Sequence, residues 1–196
     1  MRNRPRLLLL FALAFMVLSP EPAVPQAPAA PPPAQARKAL LDHLLETLRT
    51  APSEAEAAAS EARLRALWAG QVSAATTLLL ARGGRDLGAG ANQDALDDFD
   101  AAVALDPGVP EVWHRRALAR YQTGDLRGAV RDIEETLKRE PRYFPAFRTL
   151  AGIAEGRQDW KGAYAAWQRL MEIDPQTPGG ADKLKDLKRR ALGDVT

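Results

Sequence analysis

The sequence predicts an all-α fold: a helix-turn-helix solenoid preceded by an N-terminal helix pair and closed by a C-terminal capping helix. Three observations predict it. Prolines stand at Pro107, Pro141 and Pro175, 34 residues apart each time. Twelve residues before each proline comes an alanine (Ala95, Ala129, Ala163), followed four residues later by a bulky apolar residue (Phe99, Ile133, Trp167). Twelve residues before each alanine is a small residue (Gly83, Ala117, Ala151), with a large apolar one four residues earlier (Leu79, Trp113, Phe147). A register held over three units is the signature of one supersecondary structure made three times. No single unit buries its own faces, so neighbours have to stack.

Along the chain, residues 1–29 read as an export signal, with a cationic n-region at 1–6 (Arg2, Arg4, Arg6) and an apolar h-region at 7–18. Twelve residues of helix span roughly 18 Å, short of the ~30 Å hydrocarbon core, so an uncleaved anchor facing the periplasm is the alternative reading. Ala27-Pro28-Ala29 is the best small-x-small cleavage pattern. Residues 30–36 form a proline-alanine linker with no core of its own. Residues 37–75 read as a divergent helix pair. Leu40, Leu41, Leu44, Leu45 and Leu48 make a helical stripe, and Ser53 opens a second helix ending in Leu64, Leu67, Trp68 and Gly70. The pair has the size of a repeat without its signature, and is expected to cap the N-terminal end of the array.

The three units span 76–109, 110–143 and 144–177. In each, small residues at the middle of the first helix and the start of the second let the helices approach, while large ones fill the space beside them. Gly124-Asp125 supplies a helix stop and an N-cap. Unit one departs from the pattern: RGGRDLGAGANQD holds four glycines, and Ala91 stands where the other units have Asp125 and Asp159. In unit three the turn glycine is displaced to Gly156. Residues 178–196 supply the polar cap, with Leu184, Leu187 and Ala191 on one side and Lys188-Arg189-Arg190 as a solvated helix end.

The stretch WHRRALARY (113–121) puts Arg116 where an apolar residue is due. Unit one has Arg82 at this position and unit three has Leu150. Sixteen residues later the units carry Asp98, Asp132 and Ala166. Arginine goes with aspartate twice and leucine with alanine once, which predicts ion pairs Arg82–Asp98 and Arg116–Asp132 inside the hairpins. The other reading, an anion site on Arg115 and Arg116, is the weaker one.

These units resemble the tetratricopeptide repeat, with its pattern W-x2-L-G-x2-Y, A-x3-F and P over 34 residues. The resemblance covers residues 76–175 and implies a right-handed solenoid whose first helices line a concave groove. On the family's pattern the groove positions are Thr77, Leu80, Gly84, Leu87 and Gly88; then Glu111, His114, Leu118, Tyr121 and Gln122; then Pro145, Arg148, Gly152, Glu155 and Gly156. The partner-binding candidates among them are Leu80, Leu87, Glu111, His114, Leu118, Tyr121, Gln122, Arg148 and Glu155. The family's clamp for a C-terminal carboxylate uses lysine, asparagine and arginine. Here Leu80 and Gly84 replace lysine and asparagine, and Pro145 replaces another lysine, so the resemblance does not extend to that clamp.

Other chemistry finds little support. There is no cysteine, hence no disulfide or thiolate nucleophile. His43 and Glu46 offer two ligands on one face, short of a metal site. DALDDFDAAVALD lacks the glycine and terminal glutamate of a calcium loop, and none of the four serines lies in a G-x-S-x-G elbow. No catalytic residue, metal or cofactor is expected, and the chain reads as a non-enzyme. Without Arg2, Arg4, Arg6 and Glu21, the 27 basic and 25 acidic residues become 24 of each, so neither nucleic acid nor an anionic membrane is expected as partner. The signal region, together with arginine outnumbering lysine, points to a bacterial, periplasmic protein. The expected function is an adaptor or scaffold that binds a helical or extended protein segment in its groove. A self-associating structural protein, or a groove filled by the chain's own helix at 37–50, is the alternative.

Overall fold

Helix ends follow from local chemistry. The Asp125 and Asp159 side chains accept from the N–H groups of Gly128 and Gly162, both at 2.9 Å, and Ser53 and Ser73 cap in the same way. Pro110 opens a helix where its missing N–H costs nothing. Ala91, lacking a polar side chain, starts its helix uncapped. The computed structural model describes residues 33–193; the expected export signal and the first part of the linker lie outside them.

Among the described residues there are nine helices and no strand. α1 (Ala34–Arg49) and α2 (Glu54–Ala69) form a first hairpin. Three more follow: α3 (Ala74–Gly88) with α4 (Asn92–Leu105), α5 (Pro110–Gln122) with α6 (Leu126–Arg139), and α7 (Phe144–Gly156) with α8 (Trp160–Ile173). α4 packs on α5 and α6 on α7, which stacks the hairpins, and α9 (Gly180–Leu192) closes the far end against α8. The fold is the helical solenoid that the spacing predicts.

Inside each hairpin the small residues are where the helices touch. Ala95, Ala117, Ala129, Ala151 and Ala163 have no exposed surface. Gly83 is the tightest point: a Cβ there would lie 2.9 Å from Cε1 of Phe99 and 3.1 Å from Cβ of Asp98. Its neighbour Gly84 would carry a Cβ with nothing within 4 Å. The turns hold one departure from the sequence reading. Gly90 and Gly124 turn at φ +80° and +85°, and the equivalent residue of the third hairpin is Gln158, at φ +59°. Gly156 does not take the turn over; it stays inside α7. A side chain in this left-handed region costs about 1–2 kcal/mol.

Both predicted ion pairs are present. Arg82 donates from Nε to Asp98 Oδ2 at 2.6 Å, and its guanidinium holds the Asp98 carboxyl below the ordinary carboxylate range. Arg116 donates through Nε and Nη2 to the two oxygens of Asp132 at 2.9 and 2.7 Å, and through Nη1 to Asp100 at 2.7 Å. Arg120 adds a bond to Asp132 at 2.8 Å. Asp132 is buried, so the joint between α5 and α6 lies away from water, while the arm to Asp100 of α4 is at the surface. Arg116 is a structural joint.

The N-terminal helix pair does not cap the array. α2 packs on α5 and α1 on α8, over the starts of the second and third hairpins. Trp68 is buried with its ring centroid 4.4 Å from Tyr143 and 5.5 Å from Phe144. Gln176 Nε2 donates to the Ala51 carbonyl at 3.2 Å, and Arg142 Nη1 to Asp42 at 2.8 Å. The apolar stripe of Leu44, Leu45, Leu48, Leu64 and Trp68 joins the core of the second and third hairpins. α3 is left without a cap, and Leu78 is 72% exposed. At the other end α9 buries Leu187, and Trp167 Nε1 donates to the Gly180 carbonyl at 2.9 Å.

Two stability predictions follow from these contacts. Gly84→Ala raises stability by ~1 kcal/mol, by helix propensity alone. Gly83→Ala lowers it by about 1–3 kcal/mol, by pushing Phe99 aside. Asp132→Ala costs about 3–5 kcal/mol by stranding Arg116, whereas the Arg116→Leu/Asp132→Ala pair, which copies the third hairpin, returns to within about 1 kcal/mol of wild type. Urea unfolding midpoints check all four variants.

Candidate functional site

α3, α5 and α7 are the first helices of the stacked hairpins, and the expected groove runs along them. Leu80 and Gly84 of α3 meet Glu111 of α5 around an open cavity of about 390 Å³, whose walls include Thr77, Arg85, Arg115 and Val72. Leu80 supplies apolar floor, Gly84 leaves bare backbone, and two guanidinia stand at the rim. Arg115 donates from Nε to Glu111 Oε1 at 2.6 Å.

Beneath this cavity lies a polar network. Glu111 is 5% exposed, and its other carboxylate oxygen accepts from the Tyr143 hydroxyl. Tyr143 is buried, and burial, then the charge of Glu111, pushes its hydroxyl well above the ordinary tyrosine range. His114, 6% exposed, sets Nε2 3.0 Å from the Thr149 hydroxyl, and its ring meets Tyr143 edge-on at 5.2 Å. Burial lowers its pKa to about 4, so the ring is neutral at physiological pH.

The other residues expected in the groove are dispersed. Leu87 packs beside Ala95, Phe99 and Ala119, between the first two hairpins. Leu118 and Tyr121 are half-buried, the Tyr121 hydroxyl lying 3.5 Å from where a Cβ on Gly152 would stand. Gln122 is exposed at the end of α5. Arg148 Nη2 stands 3.7 Å from Glu61 of α2, and Glu155 accepts from Lys183 of α9 at 2.7 Å. The groove candidates therefore divide. Leu80 and Glu111 border open space, His114 is sealed beneath it, and Arg148 and Glu155 are engaged by the chain's own flanking helices.

Sequence reasoning passed over four residues of the open cavity, Ala69, Val72, Ala81 and Arg85, and named Arg115 only in the weaker reading of an anion site. Arg115 had a signal, as the first half of the arginine pair in WHRRALARY. Its neighbour faces the helix partner and it faces the groove, as adjacent residues on a helix must.

The His114 environment has a pH consequence. Its folded pKa of about 4 lies below the ordinary histidine value of 6.5, so its contribution to stability is present above pH 6.5 and is lost as pH falls toward 4. The difference corresponds to roughly 3 kcal/mol. His114→Gln, which cannot charge, removes that share of the acid sensitivity. Urea midpoints for both proteins across this range give the difference.

No family model matches the chain. A TPR repeat-containing protein of Rhizobium etli is 32% identical over 161 residues, covering 81% of this chain and 78% of that one. The Hsp70-Hsp90 organizing protein of Triticum aestivum is 27% identical over 111 residues, 57% of this chain but only 19% of that longer protein. Among solved structures, the first TPR of Spaghetti bound to the HSP90 peptide SRMEEVD matches 61% of this chain and 94% of its own, with a TM-score of 0.56 at 19% identity. MamA matches 81% of this chain and 85% of its own, with a TM-score of 0.54 at 14% identity. With the 34-residue register, the stacked hairpins and the Rhizobium relative in agreement, the chain belongs to the tetratricopeptide repeat family.

Proposed function

We propose that this is an exported, periplasmic adaptor that binds a helical or extended segment of another protein in the groove between α3 and α5. One observation carries the reading: the cavity of about 390 Å³ on the concave side stays open, although α1 and α2 cover the groove next to it. Its apolar floor suits a side chain of the guest, and Arg85 and Arg115 suit a carboxylate beside it. Repeat proteins of this class serve as protein–protein interaction modules, which supports a protein or peptide as the guest. The HSP90 peptide of the Spaghetti complex is a poor guide to which one, because Leu80, Gly84 and Pro145 replace the residues that would clamp such a tail. The export signal read at residues 1–29 supports the compartment.

A second reading, self-association, is favoured by the uncapped apolar face of α3, where Ala75, Leu78 and Leu79 border a cavity of about 420 Å³. In-cell crosslinking of a C-terminally tagged chain, with mass spectrometry, separates the two. Gly84→Arg fills the open groove without touching the core. Under the adaptor reading a partner crosslinked by wild type from the periplasmic fraction is lost in Gly84→Arg, with an unchanged melting temperature. Crosslinks only between copies of this chain, indifferent to Gly84→Arg, would overturn it.

A further inference from the structure

The seat of the N-terminal helix pair carries two anomalies. Among the described residues, the buried side-chain polar atoms left without a hydrogen-bond partner are Trp68 Nε1 and Asp174 Oδ1. Trp68 is on α2, packed against Tyr143 and Phe144. Asp174 is the C-cap of α8, with no exposed surface, and its Oδ2 accepts from the Thr177 hydroxyl. Facing Asp174 from α2 is the carboxyl of Glu61, 8% exposed and within hydrogen-bonding reach of it.

Two carboxylates withdrawn from water at that range do not both ionise. A proton on Glu61 relieves this pair, since it removes one charge and supplies a donor for the orphaned oxygen of Asp174, the second of the two anomalies. We propose that α1 and α2 form a releasable cover over the groove of the second and third hairpins, latched by a proton that Glu61 carries and donates toward Asp174.

The charges around Glu61 can be named on every side. Arg65 of its own helix bonds one of its oxygens, and Arg148 of α7 stands 3.7 Å from the other. Both guanidinia are about half exposed and pull toward ionisation. Glu54 lines the same cavity of about 460 Å³, as do the uncharged Gln176 and Thr177. Burial and Asp174 outweigh the two arginines, and the Glu61 carboxyl titrates above its ordinary value. Docking of α2 therefore takes up a proton. The contribution is present at acid pH and is lost as pH rises through the raised value. His114 acts in the opposite sense, so tightening of α2 on acidification cannot come from that ring.

Release would uncover the starts of α5 and α7, extending the open groove beyond α3. That consequence rests on the adaptor reading; the latch does not.

Hydrogen exchange on the whole chain tests it, with α2 amides normalised to those of α6 at each pH between about 5 and about 8. The relative protection of α2 should fall with rising pH, about tenfold for each unit by which docking raises the Glu61 value. Glu61→Gln, neutral but still able to donate to Asp174, should hold α2 protected throughout. Carboxyl-carbon NMR of wild type should place the Glu61 midpoint above 4.5, and it decides the matter if the variant fails to fold. A midpoint at or below 4.5, or α2 protection whose pH dependence is absent or survives Glu61→Gln, would overturn the latch. Loss of partner capture in the Gly84→Arg experiment reports on the adaptor reading alone, so the two can fail separately.

Discussion

Everything in this molecule depends on helices approaching closely at a few positions where the side chains have been removed. Ala117 and Ala151 on the first helices, and Ala95, Ala129 and Ala163 on the second, have no exposed surface, and Gly83 lies hard against Phe99 and Asp98 of α4. Close-packed interiors leave no slack for an extra methyl group at such a contact. The contact fixes how each hairpin closes, the closed hairpin fixes which residues reach the next one, and the stack sets α3, α5 and α7 side by side. A groove exists because of residues that nearly do not.

Around that constraint the chain uses two kinds of joint. The third hairpin carries apolar Leu150 and Ala166 in its core at the positions where the first two use arginine and aspartate. The charged joint in the second hairpin reaches further: Arg116 binds Asp100 of α4 as well as Asp132 of α6. It is therefore a link between repeats as much as within one. An apolar pair of the same volume would pack as well but would not impose this directional match.

The repeat was legible because periodicity is written in local spacing, and the Arg82–Asp98 and Arg116–Asp132 pairs were legible because three copies could be compared. What escaped depends on contacts between distant parts of the chain. The leucine stripe of α1 announces that it will be buried but not against what, so its seat on the second and third hairpins, bridged by Arg142 to Asp42, could not be read. His114 and Glu111 occupy groove positions on the repeat pattern, yet Thr149 and Tyr143 of the next hairpin engage them, so that His114 is sealed in and Glu111 keeps only an edge on the open cavity. Leu80 and Gly84 stay open because α2 ends beside them and contributes Val72 to their wall through the segment that follows it. Gln158, at a turn where glycine was the natural expectation, shows that a strong register can carry a locally poor residue.

Only Gly70, Gln71, Val72 and Ser73 separate α2 from α3. A helix pair held by so short a tether is present at its own binding surface at an effective concentration of about millimolar or higher, whatever the dilution of the protein. Any segment that reaches for α5 and α7 thus competes with a neighbour that never diffuses away. Its apparent affinity is scaled down by the fraction of time the surface is free. Under the adaptor reading, the four residues of that connection would set the threshold of occupancy alongside the groove's own side chains.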